Sequence, residues 1–142
     1  MRSGSIDSIG DHRGYLLDTH SFLWALKKPE RLGRIARSVI ESTGISLRLS
    51  SISAFEISYK HQQGKLEPSY ESVVENYTHY AKLLGVEDLC ITLAHTYLAG
   101  SMDWEHQDPF DRIIVAQASL ENLTIITNDS RIQAHPWIDA IW

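Results

Sequence analysis

Cysteine is nearly absent from this 142-residue sequence, and long apolar runs are missing altogether. Cys90 is the only cysteine, which excludes an internal disulfide. Because Cys90 lies in an apolar run, we expect a buried free thiol in a reducing compartment. No export signal is visible, so the cytoplasm is the expected location. No run approaches the roughly 18 apolar residues of a membrane-spanning helix, so no membrane association is expected.

The composition is that of a single globular domain. Hydrophobic residues make up 43% and charged residues 22%, which is enough apolar surface for a packed core. Residues 1–14 are polar and glycine-containing, so we expect a flexible tail there and one domain over 15–142. The net charge of −5 argues against nonspecific wrapping of nucleic acid. It leaves a nuclease open, because clustered carboxylates can bind cations that cancel their charge.

Apolar strand patterns alternate with helical patterns along the chain. We expect strands at about 15–17, 45–49, 89–91 and 123–127, with the tail at 137–142 as a candidate fifth. We expect helices at about 20–26, 31–42, 53–64, 70–84, 92–99 and 109–122. This alternation predicts an α/β fold with a mainly parallel sheet of four to five strands.

Two of the expected helices have informative apolar patterns. The helix over 70–84 repeats apolar residues at helical spacing, which predicts one buried face made by Val73, Val74, Tyr77, Tyr80, Ala81 and Leu84. The helix over 109–122 is apolar on most faces, so we expect it to be central and well covered.

Four carboxylates fall where predicted strands end or predicted helices begin: Asp18, Glu56, Asp111 and Asp129. Ligands of open parallel sheets bind at the carboxyl ends of the strands, so all four acids belong to that edge. Carboxylates that lie close together repel one another unless a proton or a cation intervenes. Oxygen ligands favour Mg²⁺ or Mn²⁺, and such ions serve phosphodiester hydrolysis.

Each acid also has a purely structural interpretation. Ser53 and Glu56 fit the S-x-x-E capping box, which would place Glu56 in the first turn of a helix. Asp18 could cap the helix near His20, Asp111 could respond to a helix dipole, and Asp129 could hold a turn. Four acidic caps on one edge make coincidence less plausible than a shared site.

Several short motifs, in order and spacing, resemble PIN-domain toxins of the VapC type over residues 15–142. The motifs are YLLDTH at 15–20, SAFEIS at 53–58 with GKL at 64–66, HQDPFDR at 106–112, TIITND at 124–129 and the closing IW at 141–142. The resemblance implies a three-layer α/β/α fold and Mg²⁺- or Mn²⁺-dependent endoribonuclease activity. It also implies homodimers and silencing by a small cognate antitoxin. By resemblance, Asp18, Glu56 and Asp111 are core metal ligands and Asp129 is a fourth.

Other polar residues near these motifs have open roles. Asp108 is the expected helix cap, although it could hold a metal-bound water. Thr19 and Asn128 could position water or phosphate, and turn hydrogen bonding is the plainer role for Asn128. Arg112 could orient phosphate, although a structural ion pair is the simpler interpretation.

A basic stretch follows the first predicted helix and comprises Lys27, Lys28, Arg31, Arg34 and Arg37. Its side chains could contact RNA phosphates or an antitoxin, or could simply be solvated. The three arginines recur every three residues, so we expect them on one side of a helix.

Three functional hypotheses follow from the residues. The leading one is a metal-dependent endoribonuclease acting as a toxin. A phosphatase or phosphorelay receiver would use Asp18 as the nucleophile or phosphoacceptor. The usual aspartyl phosphatase motif has a second Asp two residues later, whereas this sequence has His20 at that position, which disfavours the hypothesis. A PIN-like module that binds RNA or protein without cleavage is the third. The seven histidines show no zinc-binding spacing, so zinc is not expected.

Overall fold

The computed structural model describes residues 14–142, so nearly all of the predicted tail lies outside the described residues. The strands are β1 (Tyr15–Leu17), β2 (Leu47–Ser50), β3 (Val86–Leu89), β4 (Thr124–Ile126) and β5 (Ala140–Ile141). The helices are α1 (Thr19–Lys27), α2 (Arg34–Glu41), α3 (Ser51–Gln62), α4 (Glu71–Glu75), α5 (Tyr77–Leu84), α6 (Leu93–Ser101), α7 (Pro109–Glu121) and α8 (Ser130–Gln133). Single 3₁₀ turns occupy Pro29–Arg31 and Pro68–Tyr70.

All five strands are parallel and follow the order β3-β2-β1-β4-β5. The chain therefore starts at the centre, moves outward through β2 and β3, and returns to the other side of β1 with β4. At such a reversal of strand order, the helices that follow the two neighbouring strands diverge and open a crevice at the carboxyl edge. The fold thus predicts a ligand site beyond the ends of β1 and β4.

Successive residues of β1 point to opposite faces of the sheet, and this alternation builds two cores. Leu16 belongs to a buried cluster with residues of α6, α7 and α8, whereas Leu17 belongs to a cluster with residues of α1 to α5. Helices therefore cover both faces of the sheet. The expected three-layer α/β/α architecture with a parallel sheet is confirmed. Within residues 14–142, no helix is long and apolar enough to cross a bilayer.

The third strand begins three residues earlier than expected and ends two residues earlier. It contains the exposed residues Glu87 and Asp88, and it is an edge strand that pairs only with β2. Charged residues are common on sheet edges because they discourage pairing with other chains. The apolar stretch that suggested a strand at 89–91 instead leaves the sheet after Leu89. Cys90 is therefore exposed, and the expectation of a buried thiol was wrong.

Two expected helices are interrupted. The helix over 70–84 breaks at Asn76, whose φ of −147° and ψ of 55° lie outside the helical region. The break separates Tyr77 from the buried face, and Tyr77 is 50% exposed, although Val73 is fully buried. The helix over 31–42 begins only at Arg34, while Arg31 ends a 3₁₀ turn. The three arginines therefore do not share one helix.

Candidate active site

An open cleft of about 340 Å³ lies at the carboxyl edge of the sheet. All four acids that the motifs singled out line it, and so does the fifth acid, Asp108. The other lining residues are Thr19, His20, Trp24, Lys60, Ile114, Asn128 and Arg131. The acids come from four separate segments: the end of β1, α3, the start of α7 and the loop after β4. The order of the strands brings these acids to one cleft although Asp18 and Asp129 are 111 positions apart in the sequence.

Asp18 follows β1 directly and is only 8% exposed. It caps α1, since its Oδ1 atom accepts from the backbone N–H of Ser21 at 2.8 Å. Its Oδ2 atom accepts from the Thr127 hydroxyl at 2.5 Å. Burial raises the pKa of Asp18, although these hydrogen bonds oppose the effect. The carboxylate is therefore held rigidly in a position where its charge is costly without a cation.

Glu56 does not lie in the first turn of its helix. Helix α3 begins two residues earlier than expected, and its cap is Ser50 rather than Ser53. Glu56 is consequently in the second turn, and the capping-box interpretation was wrong. Its Oε1 atom accepts from the Thr19 hydroxyl at 2.7 Å, and its Oε2 atom lies 2.9 Å from Nζ of Lys60. Both contacts hold the carboxylate in the cleft.

Asp111 and Asp108 have different surroundings although both lie at the start of α7. Exposed Asp108 caps the helix, accepting from the backbone N–H groups of Phe110 (2.8 Å) and Asp111 (3.2 Å). Asp111 is partly buried, and its Oδ2 atom contacts Nε2 of His106 at 2.7 Å. Burial is the main cause that raises the pKa of Asp111, and the charges of Asp108 and Asp129 raise it further. The hydrogen bond from His106 acts in the opposite direction.

Asp129 caps the short helix α8 and forms an ion pair with Arg131. Its Oδ1 atom accepts from the backbone N–H of Arg131 at 2.8 Å, and its Oδ2 atom lies 3.3 Å from the guanidinium. Partial burial acts to raise the pKa of Asp129, but the contacts with Arg131 outweigh it and lower the pKa. Asp129 is thus readily ionised, and the structural roles proposed for Asp18, Asp108 and Asp129 coexist with their position in the cleft.

His106 was missed as a site residue by sequence reasoning. One possible ligand atom each from His106, Asp111 and Asp129 lies within 4.8 Å of the others. The carboxylate of Asp111 can only accept, so Nε2 of His106 donates to it. The ring is 9% exposed and packs edge-to-face against Trp104. The only sequence signal was the position of His106 within the third motif, because no histidine pairing pointed to it.

The remaining candidates divide between the cleft and the scaffold. Thr19 is buried and orients Glu56, and exposed Asn128 lines the cleft. Arg112 forms no ion pair with any described residue and instead donates to four backbone carbonyls: those of Ala99, Met102, Trp104 and His106. It therefore fixes the loop that carries His106, and the ion-pair interpretation was wrong.

The basic stretch at 27–37 lies outside the acidic cleft, and several of its side chains have other partners. Lys28 pairs with Glu67, Arg37 pairs with Glu41 at 2.9 Å, and the ammonium of Lys27 lies 4.9 Å from the ring centre of Tyr80. None of the five basic residues lines the acidic cleft. Arg34 is exposed at the start of α2.

The donor set of the cleft fits a hard divalent cation. Within residues 14–142, five carboxylates and only two strongly basic side chains, Lys60 and Arg131, line the cleft. Burial raises the pKa values of Asp18 and Asp111, and the charges of Asp108 and Asp129 raise that of Asp111 further, so a bound cation would favour the ionised forms. Carboxylate-rich sites with few nitrogen donors suit Mg²⁺ or Mn²⁺ better than zinc.

Comparison with known proteins points to one protein family. The family model described as PIN domain matches residues 15–138. Ribonuclease VapC22 of Mycobacterium tuberculosis is 27% identical over 122 residues, which cover 84% of this chain and 90% of that protein. The family match includes all four segments that carry the acids.

Two solved structures share the fold at low sequence identity. VapBC2 from Rickettsia felis, bound to a DNA fragment from its promoter, matches with a TM-score of 0.66 and 20% identity, covering 90% of this chain and 98% of that chain. DNA-bound VapBC from Salmonella typhimurium matches with a TM-score of 0.64 and 21% identity, covering 90% and 96%. At these identities the likeness is one of fold.

Proposed function

Because the chain belongs to the PIN domain family, we propose that it is a metal-dependent endoribonuclease that acts as the toxin of a toxin–antitoxin pair. The observation that carries the proposal is the meeting of Asp18, Glu56, Asp111 and Asp129 on one cleft. The similarity to a ribonuclease supports RNA as the substrate.

Mg²⁺ or Mn²⁺ would be held by these four acids. When bound, such an ion activates water and neutralises charge on the phosphate during in-line displacement. The chain's own residues orient the carboxylates: Ser21 and Thr127 fix Asp18, and Thr19 fixes Glu56. Partners of this kind reduce the freedom of the ligands and are typical of working metal sites.

A small antitoxin is the proposed partner. The structurally similar proteins from Rickettsia felis and Salmonella typhimurium are VapBC assemblies, and another is a toxin–antitoxin complex from Klebsiella pneumoniae. We infer a homodimer and a cytoplasmic location, where RNA and antitoxin are both accessible. Expression of this chain alone should arrest growth, and co-expression of the antitoxin encoded beside it should relieve the arrest.

Cleavage of RNA by the purified protein tests the enzymatic activity. We expect discrete RNA fragments in the presence of Mg²⁺ or Mn²⁺ and intact RNA after addition of a chelator. Restoring the metal in excess should restore cleavage, because hydrogen bonds within the protein hold Asp18 and Glu56 in place. RNA that is bound but never cut, whatever the metal, would establish a binding module instead.

His106 offers a second test. We propose that its ring positions Asp111 through the 2.7 Å contact with Oδ2. His106→Ala should reduce cleavage and Mn²⁺ affinity by about 10- to 100-fold, as loss of such a partner does in metal sites. His106→Gln, whose amide can still donate, should recover part of both. Calorimetric titration with Mn²⁺ gives the affinity, and equal affinities in all three proteins would contradict the role.

A further inference from the structure

A second pocket of about 270 Å³ adjoins the acidic cleft. The two share Thr19, His20, Trp24 and Lys60, so the pocket and the cleft are contiguous. The remaining lining residues are Leu23, Arg31, Ile57, Lys65, Leu66, Glu67 and Tyr70. Any molecule seated in the cleft therefore has a direct path into this second pocket.

The charge of the second pocket is opposite to that of the cleft. Arg31, Lys60 and Lys65 line it, and Glu67 is the only carboxylate among the described residues that line it. The hydrogen bond from Lys28 lowers the pKa of Glu67, so this carboxylate is ionised and is already paired with Lys28. The cleft, in contrast, is lined by five carboxylates. An anionic chain that enters the cleft is repelled by its walls and attracted on the side of the second pocket.

Lys60 links the two regions. It lies one helical turn after Glu56 on α3, and its Nζ atom is 2.9 Å from Oε2 of that glutamate. A cation held by Glu56 competes with the Lys60 ammonium for the same carboxylate. Occupation of the acids would therefore release the ammonium, on a side chain that is 40% exposed, toward an anion in the second pocket.

We propose that this second pocket binds the RNA phosphate next to the one that is cleaved, with Lys60 and Lys65 as its phosphate contacts. The inference rests on the proposed ribonuclease function. Every nucleotide carries a phosphate, so a strand with one phosphate at the acids necessarily places another one nucleotide away. Lysine ammonium groups bind phosphate as point charges and need no fixed orientation. The fixed presence of a neighbouring phosphate on every RNA strand favours RNA over an acidic protein segment as the occupant of the pocket.

The salt dependence of RNA binding tests the pocket. Lys60→Met and Lys65→Met would each be made together with Asp18→Asn, which is expected to bind RNA without cutting it. Affinity for a short single-stranded RNA would be measured against KCl concentration at fixed Mg²⁺. Because each phosphate contact to a single strand contributes about 0.7 to the slope of log affinity against log salt, each variant should lower the slope by about 0.7.

Lys82→Met, in the same background, is the matched control. Lys82 is an exposed lysine on α5 that lines neither pocket, so its slope should be unchanged. Unchanged slopes in Lys60→Met and Lys65→Met would overturn the inference. So would variants that lose affinity for the antitoxin alone, because the pocket would then belong to the protein partner. If the unaltered protein still cuts RNA in either case, only the pocket assignment fails. An unaltered protein that neither binds nor cuts RNA rejects both proposals.

Discussion

Asp18→Asn should abolish most RNA cleavage while leaving the fold at least as stable as before. Loss of a partner that merely supports a metal ligand costs about 10- to 100-fold in activity, so neutralising a ligand itself should cost more than about 100-fold. Asparagine is as good a helix cap as aspartate, so the hydrogen bond to the Ser21 N–H survives. The expected loss is therefore one of charge and not of structure. Initial rates of RNA cleavage with Mg²⁺ measure it.

The stability of this variant follows from the raised pKa of Asp18. Burial lifts the pKa of Asp18 in the folded state above its unfolded value, so folding favours the protonated form. Below the unfolded pKa the group costs nothing, and the cost grows as pH rises through the interval up to the folded pKa. In metal-free buffer at neutral pH, Asp18→Asn should therefore raise Tm. The gain should shrink as the pH approaches the unfolded pKa.

Asp88→Asn provides the matched control, since it removes the same charge from an exposed position on β3. Its cleavage rate should equal that of the unaltered protein. If Asp18→Asn also cleaved RNA normally, the cleft would not be the catalytic site. If it unfolded at neutral pH, the account of its buried charge would be wrong.

The sequence allowed the architecture to be predicted, because strand and helix patterns have different periods. It also indicated which edge of the sheet carries the acids, because residues that follow parallel strands share one edge. The structural and functional interpretations of Asp18 and Asp129 turned out not to compete. A residue that follows a strand and starts a helix lies at that edge and can cap the helix as well.

Features that depend on tertiary contacts could not be predicted from local pattern. His106 reaches Asp111 because its loop folds back beside the start of α7, and the hydrogen bonds from Arg112 to four carbonyls fix that loop. The break at Asn76 leaves the apolar spacing intact, so periodicity could not reveal it. Cys90 is exposed because β3 ends one residue earlier, at an edge where hydrophobic pattern is a poor guide.

Asp111→Asn and Asp108→Asn should differ sharply although the two acids are three residues apart. Asp108 accepts two backbone hydrogen bonds as the cap of α7, and an asparagine oxygen can accept the same two. Asp108→Asn should therefore keep Mn²⁺ affinity and cleavage within about a few-fold of the unaltered protein, with the residual effect due to one lost negative charge at an exposed site. Asp111→Asn replaces a carboxylate in the cluster with His106 and Asp129, so both properties should fall by more than about 100-fold.

The comparison separates a ligand from a cap because the two substitutions are chemically identical. A simple loss of negative potential near the cleft would weaken metal binding equally in both variants, since both carboxylates line it. Unequal losses, with Asp111→Asn far more severe, require direct participation of Asp111. Mn²⁺ affinity should be measured by calorimetry, and Tm should be measured in metal-free buffer. Burial raises the pKa of the Asp111 carboxyl group, so removing its charge should not lower the Tm of Asp111→Asn. Equal metal affinities would refute the assignment, and a more severe loss in Asp108→Asn would transfer the ligand role to Asp108.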